Sequence, residues 1–366
     1  MKQKIWIATG GTGGHVFPAS AVAAELAKRG HRITISTDGR TMEMVKNNRP
    51  TRSGIVYIWA GGVGGKSKIT AAISLFKIAL SAIALTLRFM LFRPDKVVSF
   101  GGYASVPAIL AARVWRVPVY LHEQNAAIGR ANQFALRWVD VLMTSFPTVS
   151  GIRYSDRVSG NNNKNRKPKT VYTGLPVRKE FINPEYRIPN TEYRVLVTGG
   201  SLGAKILDDI VPKAIVTLPP ALKKKLFIVH QTRPVAVAQL QKFYANAGIH
   251  ANVLSFIHDM AAQMTAAKLV IGRSGASTVV ELQTLGRPAI FVPLNINPDQ
   301  AANAAAFAKT GGGFAVPQEK FTEKWLSKTI KELFVNPARL AKMADSARVP
   351  NNAVENIVNL ITGKNK

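Results

Sequence analysis

Short apolar runs alternate along the chain with longer stretches in which apolar positions recur every three or four residues. Runs near 3–9, 32–37, 55–59, 95–99, 117–121 and 139–144 predict strands in the first half. Runs near 193–198, 226–230, 252–256, 268–272, 288–292 and 312–316 predict a second set. Strands alternating with helix-period stretches indicate βαβ units, hence an α/β protein with two parallel, doubly wound sheets. Residues 159–169 (Ser-Gly-Asn-Asn-Asn-Lys-Asn-Arg-Lys-Pro-Lys) carry no apolar periodicity and read as a basic linker. The expected organisation is a first domain over 1–165 and a second over 170–345. A helical segment over 346–366 follows, a candidate to pack back on the first domain.

One helical stretch is different. Over 69–92, Ile69, Ile73, Phe76, Leu80, Ile83, Leu87 and Met90 fall on one face, with Lys66, Lys68, Lys77, Arg88 and Arg93 around it. Only ten residues separate Lys77 from Arg88, short of the ~20 apolar residues of a spanning helix. Two readings stay open: an interfacial helix lying on an anionic membrane, or an ordinary helix turning that face to the core.

Charge narrows the choice of partners. The 366 residues include 49 Lys plus Arg against 20 Asp plus Glu, a net charge of +29. Such a chain is drawn to nucleic acid, an anionic bilayer or phosphorylated substrates. No basic helix with interleaved aromatic residues supports nucleic acid. The absence of cysteine excludes disulfides, Cys-ligated metals and thiol catalysis. The N-terminal Met-Lys-Gln-Lys-Ile-Trp-Ile runs straight into a strand pattern without the apolar core of a signal peptide, so a cytoplasmic location is expected.

The candidate chemistry lies in four glycine-rich turns, each between a predicted strand and a helix: Gly10–His15, Gly101–Ser105, Gly199–Ala204 and Gly272–Thr278. Glycine lets the backbone approach an anion, and free N–H groups at a helix start point at it. In an open parallel sheet such turns lie at the carboxyl edge, where ligands bind. A dinucleotide fingerprint fails because Val16 stands where its third glycine belongs; Asp38 could hold a ribose, but the second-half turns would go unused. The P-loop pattern is absent, as are Asp-x-Asp and any His/Asp metal cluster, so no cofactor and no metal are expected.

His15 follows four glycines at a helix start, which favours a proton acceptor over a structural histidine. His122-Glu123-Gln124-Asn125 form a dense polar group after the strand 117–121. Glu281, three residues beyond Thr278, has the chemistry to accept hydrogen bonds from both hydroxyls of a ribose; the plain alternative is a capping or surface glutamate.

Taken together, GGTGGHVFPA (10–19), SFGGYASVPA (99–108), LHEQNAAIGRAN (121–132), TGLPVR (173–178), GGSLGA (199–204), FIHDM (256–260), RSGASTVVE (273–281) and DQAANAA (299–305) resemble the MurG family. Its members are peripheral glycosyltransferases on the cytoplasmic face of the cell membrane, which add N-acetylglucosamine from UDP-GlcNAc to lipid I, forming lipid II of peptidoglycan. The resemblance covers nearly the whole chain. It implies the GT-B fold, two Rossmann-like domains facing a cleft, with inversion at the sugar carbon and no metal.

Residue by residue, it implies that Ser201 and the fourth turn hold the donor diphosphate, and that the backbone at Ile257 meets uracil. Ala276, Ser277, Thr278, Val279, Val280 and Glu281 would wrap phosphate and ribose, Gln300 would read sugar hydroxyls, and Arg178 would contact the donor. Thr12, Gly13, Gly14 and Asn125 would close over the sugar, with His15 as base. Gly101, Gly102, Tyr103, His122 and Glu123 would receive the acceptor. Three departures stand out: Leu202 where many members carry Gln, the run Ala126-Ala127-Ile128-Gly129, and Asp208 where Asn is frequent, which would add negative charge near a phosphate.

Overall fold

The computed structural model describes residues 2–61, 67–153, 167–182, 193–200, 203–295 and 298–363, so the linker expected at 159–169 lies, up to Arg166, outside the described residues. The chain forms two compact units: residues 1–178 together with 351–366, and residues 179–350.

The first unit is built on seven strands: β1 (Lys4–Ala8), β2 (Arg32–Thr37), β3 (Gly54–Tyr57), β4 (Lys96–Ser99), β5 (Val119–Glu123), β6 (Val141–Thr144) and β7 (Lys169–Tyr172). They form one parallel sheet in the order β3-β2-β1-β4-β5-β6-β7. The strand order reverses between β1 and β4, with Ala8 opposite Ser99 at their carboxyl ends. Buried runs such as Ile5, Trp6, Ile7 and Ala8 are what a sheet covered on both faces requires.

β7 was not expected. It pairs with β6 from Lys169 opposite Val141 to Tyr172 opposite Thr144, which carries the first unit past residue 165 to Arg178. It is an edge strand whose Lys169, Thr170 and Tyr172 are exposed, so it lacks an apolar signature.

The chain also returns to this unit at its end. The helix Ala353–Thr362 packs against the helix Gly13–Lys28, placing Ile357, Val358 and Ile361 in one core with Val16, Val22 and Leu26. Each such side chain contributes about 1.5–3 kcal/mol on burial.

The helix Lys68–Leu91 packs on the helix Val106–Val114 through Leu85 and Phe89, and Ile78 is buried on the same helix. Its buried side includes Ser81, which donates to the Trp59 carbonyl and accepts from the Trp59 N–H, both at 3.0 Å. The stripe from Ile69 to Met90 points the other way: Ile69 is 76% exposed, Phe76 64% and Ile83 59%. The core-facing reading of that stripe is therefore corrected, since a narrower stripe one position away does the packing.

The second unit holds β8 (Tyr193–Thr198), β9 (Leu226–Gln231), β10 (His250–Leu254), β11 (Leu269–Gly272), β12 (Ala289–Phe291) and β13 (Gly313–Ala315). These are parallel, in the order β10-β9-β8-β11-β12-β13, with the reversal between β8 and β11. Thr198 stands opposite Gly272 there. Val195, Val197, Leu269 and Ile271 share a core with the helices Lys205–Val216 and Glu323–Val335.

Candidate active site

All four glycine turns emerge at the two reversal points. Gly10–His15 leaves β1 and Gly101–Ser105 leaves β4 in one unit; Gly199–Ala204 leaves β8 and Gly272–Thr278 leaves β11 in the other. Neighbouring strands whose crossovers run to opposite sides leave a crevice at their carboxyl ends, which is where such sheets bind ligands.

The helices behind these turns begin without side-chain caps. Thr12 is extended, at φ −149°, and its hydroxyl makes no cap bond to the helix Gly13–Lys28. Ala204 and Gly275, which precede the helices Lys205–Val216 and Ala276–Leu285, have no side chain that could make one. By contrast Ser67, Thr322 and Asn336 each accept from a first-turn amide of their helix. No side chain therefore occupies the first-turn amides at these three helix starts, which suits them to an anion.

In the first unit, the first two turns touch. A Cβ on Gly10 would lie 2.6 Å from the Ala104 Cβ, so no larger residue fits without displacing the second turn. His15 is half-buried behind them, and its Nδ1 lies 2.8 Å from the Phe100 carbonyl. A carbonyl only accepts, so Nδ1 carries the hydrogen and Nε2 keeps its lone pair. Gln124 Nε2 donates to the same carbonyl at 3.3 Å. Burial lowers the imidazole pKa, with the Phe100 bond partly opposing, so His15 is neutral at pH 7. Thr12 is exposed, while Gly13, Gly14, Gly102, Tyr103 and Asn125 are half-buried. The Arg178 guanidinium lies 5.7 Å over the Phe17 ring of the same unit.

Two acceptor candidates are not presented. His122 and Glu123 are buried at 0% and 1% exposure. Glu123 spends one carboxylate oxygen on the Asn125 N–H at 2.9 Å and the other on the Gly129 N–H at 2.9 Å and Asn132 Nδ2 at 2.8 Å. It shapes the loop that carries Asn125. Ala126 and Ala127 close this loop against Ser150. His122 donates from Nε2 to the Gly174 carbonyl at 2.9 Å, tying β5 to the segment that leads to Arg178. The opposite side of that segment is held by Asn351 on the Leu175 carbonyl and Asn356 on the Thr173 carbonyl.

Burial, aided by the nearby His15 and opposed by the Gly174 bond, lowers the His122 pKa from 6.5 to about 4. The unfolded chain binds this proton near 6.5 and the folded protein only near 4, so the native state loses stability as pH falls between them. The loss from this group is about 3 kcal/mol. Denaturant unfolding at neutral pH and near pH 4 should register it, and His122→Gln should flatten the profile. An equally steep profile in the variant would contradict the assignment.

In the second unit, Gln231 braces the β8 turn. It accepts from the Thr198 hydroxyl at 2.6 Å and donates to the Gly200 carbonyl at 2.9 Å. Ser201 and Leu202 lie outside the described residues. Across the reversal, the Ser274 hydroxyl donates to the Gln300 carbonyl at 2.8 Å, and Asn303 Nδ2 donates to the Ser274 carbonyl at 3.1 Å. Gln300 Oε1 accepts from the Leu294 N–H at 3.0 Å; its Nε2 makes no bond among the described residues. Ala276, Ser277 and Thr278 are half-buried in the first helical turn, and Glu281 is 8% exposed one turn on.

The Val279 and Val280 side chains are buried at 0% and 7%, and the Val279 N–H bonds the Gly275 carbonyl, so these side chains are turned to the interior. Ile257, buried at 6%, offers only its backbone. Asp208 adds no free negative charge, because Arg233 Nε lies 3.2 Å and His230 Nε2 3.4 Å from its carboxylate. Asp38 accepts from Arg40 and Thr41, which leaves nothing for a ribose.

Two doubly wound parallel sheets with glycine turns at both reversal points are the architecture of the GT-B fold. The glycosyltransferase family 28 N-terminal domain profile matches residues 5–144, and the C-terminal domain profile matches 194–361. The second match includes the final helix, although that helix packs in the first unit. Over 352 residues the chain is 39% identical to the UDP-N-acetylglucosamine–N-acetylmuramyl-(pentapeptide) pyrophosphoryl-undecaprenol N-acetylglucosamine transferase of Methylobacterium sp. (strain 4-46), covering 94% of this chain and 91% of the relative. The same enzyme of Paramagnetospirillum magneticum is 38% identical over 377 residues, covering 99% and 97%. Among solved structures, Acinetobacter baumannii MurG superposes with a TM-score of 0.78 at 31% identity, covering 99% of each chain. The chain belongs to the MurG family of glycosyltransferases.

Proposed function

We propose that this chain transfers N-acetylglucosamine from UDP-GlcNAc to the 4-hydroxyl of lipid I, with inversion, to form lipid II. The observation that carries the reading is the placement of the four glycine turns at the two strand-order reversals. Two diphosphates, one on the donor and one on the lipid acceptor, are what two such edges serve. The first unit takes the acceptor and the second the nucleotide sugar.

The reaction is a single displacement. The acceptor oxygen attacks the sugar carbon as the bond to UDP breaks, and its proton passes to Nε2 of His15. Charge gathers on the leaving diphosphate, where first-turn amides of the helices after β8 and β11 meet it, each terminus contributing about 0.3–1 kcal/mol. By the same reading, Thr12, Gly13, Gly14 and Asn125 are the first unit's residues for the sugar. Arg178, Gln300 and Glu281 fix the donor. UDP release from UDP-GlcNAc, measured with chelator present, should require a lipid I analogue. Release without it, or to diacylglycerol instead, would refute the reading.

The exposed apolar stripe of the helix Lys68–Leu91 supports attachment to a membrane surface, which this reading assigns to the cytoplasmic face. By length and composition its segment Ile69–Leu91 is apolar enough to cross a bilayer. One side of it is nevertheless fixed to the first unit, and Lys77, Arg88 and Arg93 are exposed around the apolar stripe. A helix held in this way lies along the interface with its stripe in the acyl boundary. Each basic residue near an anionic surface adds about 1 kcal/mol within a Debye length of ~8 Å. Binding to anionic vesicles should fall with salt, and Ile83→Asp should weaken it further. Binding insensitive to both changes would contradict this attachment.

A further inference from the structure

In each unit the strand beside the first glycine-turn strand is followed by an arginine held by a buried aspartate. Arg40 follows β2, the neighbour of β1; Arg233 follows β9, the neighbour of β8. β2 and β9 hold the same place in their sheets, on the side of the glycine-turn strand away from the reversal.

In the first unit, Arg40 Nε and Nη2 both donate to Asp38 Oδ2, at 3.0 and 2.5 Å, and Thr41 Oγ1 donates to Oδ1 at 2.9 Å. The Asp38 side chain is 2% exposed and the Arg40 side chain 55%. Arg40 Nη1 makes no bond among the described residues. A Cβ on Gly11, at φ +91°, would meet nothing nearer than Arg40 Nη2 at 3.8 Å and His15 Cδ2 at 4.0 Å. The space left by this glycine is thus bordered by a guanidinium and the candidate base.

In the second unit, Arg233 Nε donates to Asp208 Oδ2 at 3.2 Å, and His230 Nε2 lies 3.4 Å from the other oxygen. Asp208 is 5% exposed and Arg233 37%. Both terminal nitrogens of Arg233 are without bonds among the described residues. Gly203, at φ +68°, lies against it: a Cβ there would fall 2.9 Å from Arg233 Cγ.

A buried carboxylate is costly unless paired, and an exposed ion pair alone gives little return for that cost. A guanidinium fixed along one edge, with its remaining donors turned to solvent beside an amide-rich turn, is suited to a phosphate. Building on the proposed function, we infer that Arg40 and Arg233 are diphosphate clamps: Arg40 grips the acceptor's diphosphate and Arg233 that of the nucleotide, each oriented by its aspartate.

Calorimetric titration of the full chain with UDP and with uridine tests the second clamp, and the KM for a lipid I analogue tests the first. Arg233→Ala should raise the UDP Kd by about tenfold or more and leave that of uridine unchanged. Arg233→Lys should recover only part, because a point charge replaces a fork. Arg40→Ala should raise the acceptor KM by about tenfold or more with the UDP Kd unchanged. If a single variant fails to fold, the neutral pairs Asp208→Asn with Arg233→Met and Asp38→Asn with Arg40→Met carry the same expectations. Wild-type UDP affinity in the Arg233 variant, equal losses for UDP and uridine, or an unchanged acceptor KM in the Arg40 variant would overturn the inference while leaving the transferase reading intact. A wild-type protein that binds no UDP would remove that reading and the clamps with it.

Discussion

His15→Ala should lower turnover by about 10²–10⁴-fold while leaving UDP affinity nearly intact. The split between the two effects follows from the geometry. His15 belongs to the first unit, and its ring is oriented by the Phe100 carbonyl rather than by any group of the nucleotide edge. That bond fixes the hydrogen on Nδ1, so Nε2 is the ring atom left to take a proton in the proposed reaction. Burial lowers the imidazole pKa, which favours the base form at neutral pH. It is lost only as pH falls through the lowered value, so the acid limb of kcat/KM should lie below 6.5 and vanish in the variant. Full turnover in His15→Ala would remove the residue from catalysis.

Glu281→Ala should weaken UDP-GlcNAc binding by about 1.5–3 kcal/mol, roughly 10–150-fold. Glu281 lies on the helix whose uncapped first turn carries Ala276, Ser277 and Thr278, while the Val279 and Val280 side chains are turned to the interior. In the proposed site this helix start meets phosphate, and a carboxylate one turn on has the chemistry to accept from both hydroxyls of a ribose. The wild-type protein should prefer UDP to its 2′-deoxy analogue, and Glu281→Ala should lose that preference. Undiminished affinity with the preference retained would exclude the ribose role.

The strands and glycine turns were legible because a sheet covered on both faces writes itself as apolar runs, and the turns between strand and helix need glycine. β7 was not, since an edge strand of Lys169, Thr170 and Tyr172 has no apolar pattern to read. The docking of the final helix depends on contacts more than 300 residues apart, such as Arg29 Nη1 to Asn359 Oδ1 at 2.6 Å, which local periodicity cannot carry. His122 and Glu123 looked like acceptor ligands because a polar cluster after a strand reads alike whether it faces solvent or the interior. Arg40 and Arg233 had no motif at all. Each becomes visible only when strand order puts β2 beside β1 and β9 beside β8. The outward stripe of the helix Lys68–Leu91 was legible as a stripe, but only the buried Ile78, Leu85 and Phe89 fix which way it points.

The most direct test is a crystal structure with UDP-GlcNAc bound. The account predicts the diphosphate within hydrogen-bonding distance of first-turn amides after β8 and β11, with Arg233 on it. A diphosphate seated on the Gly10–His15 turn, or away from both sheet edges, would contradict the account.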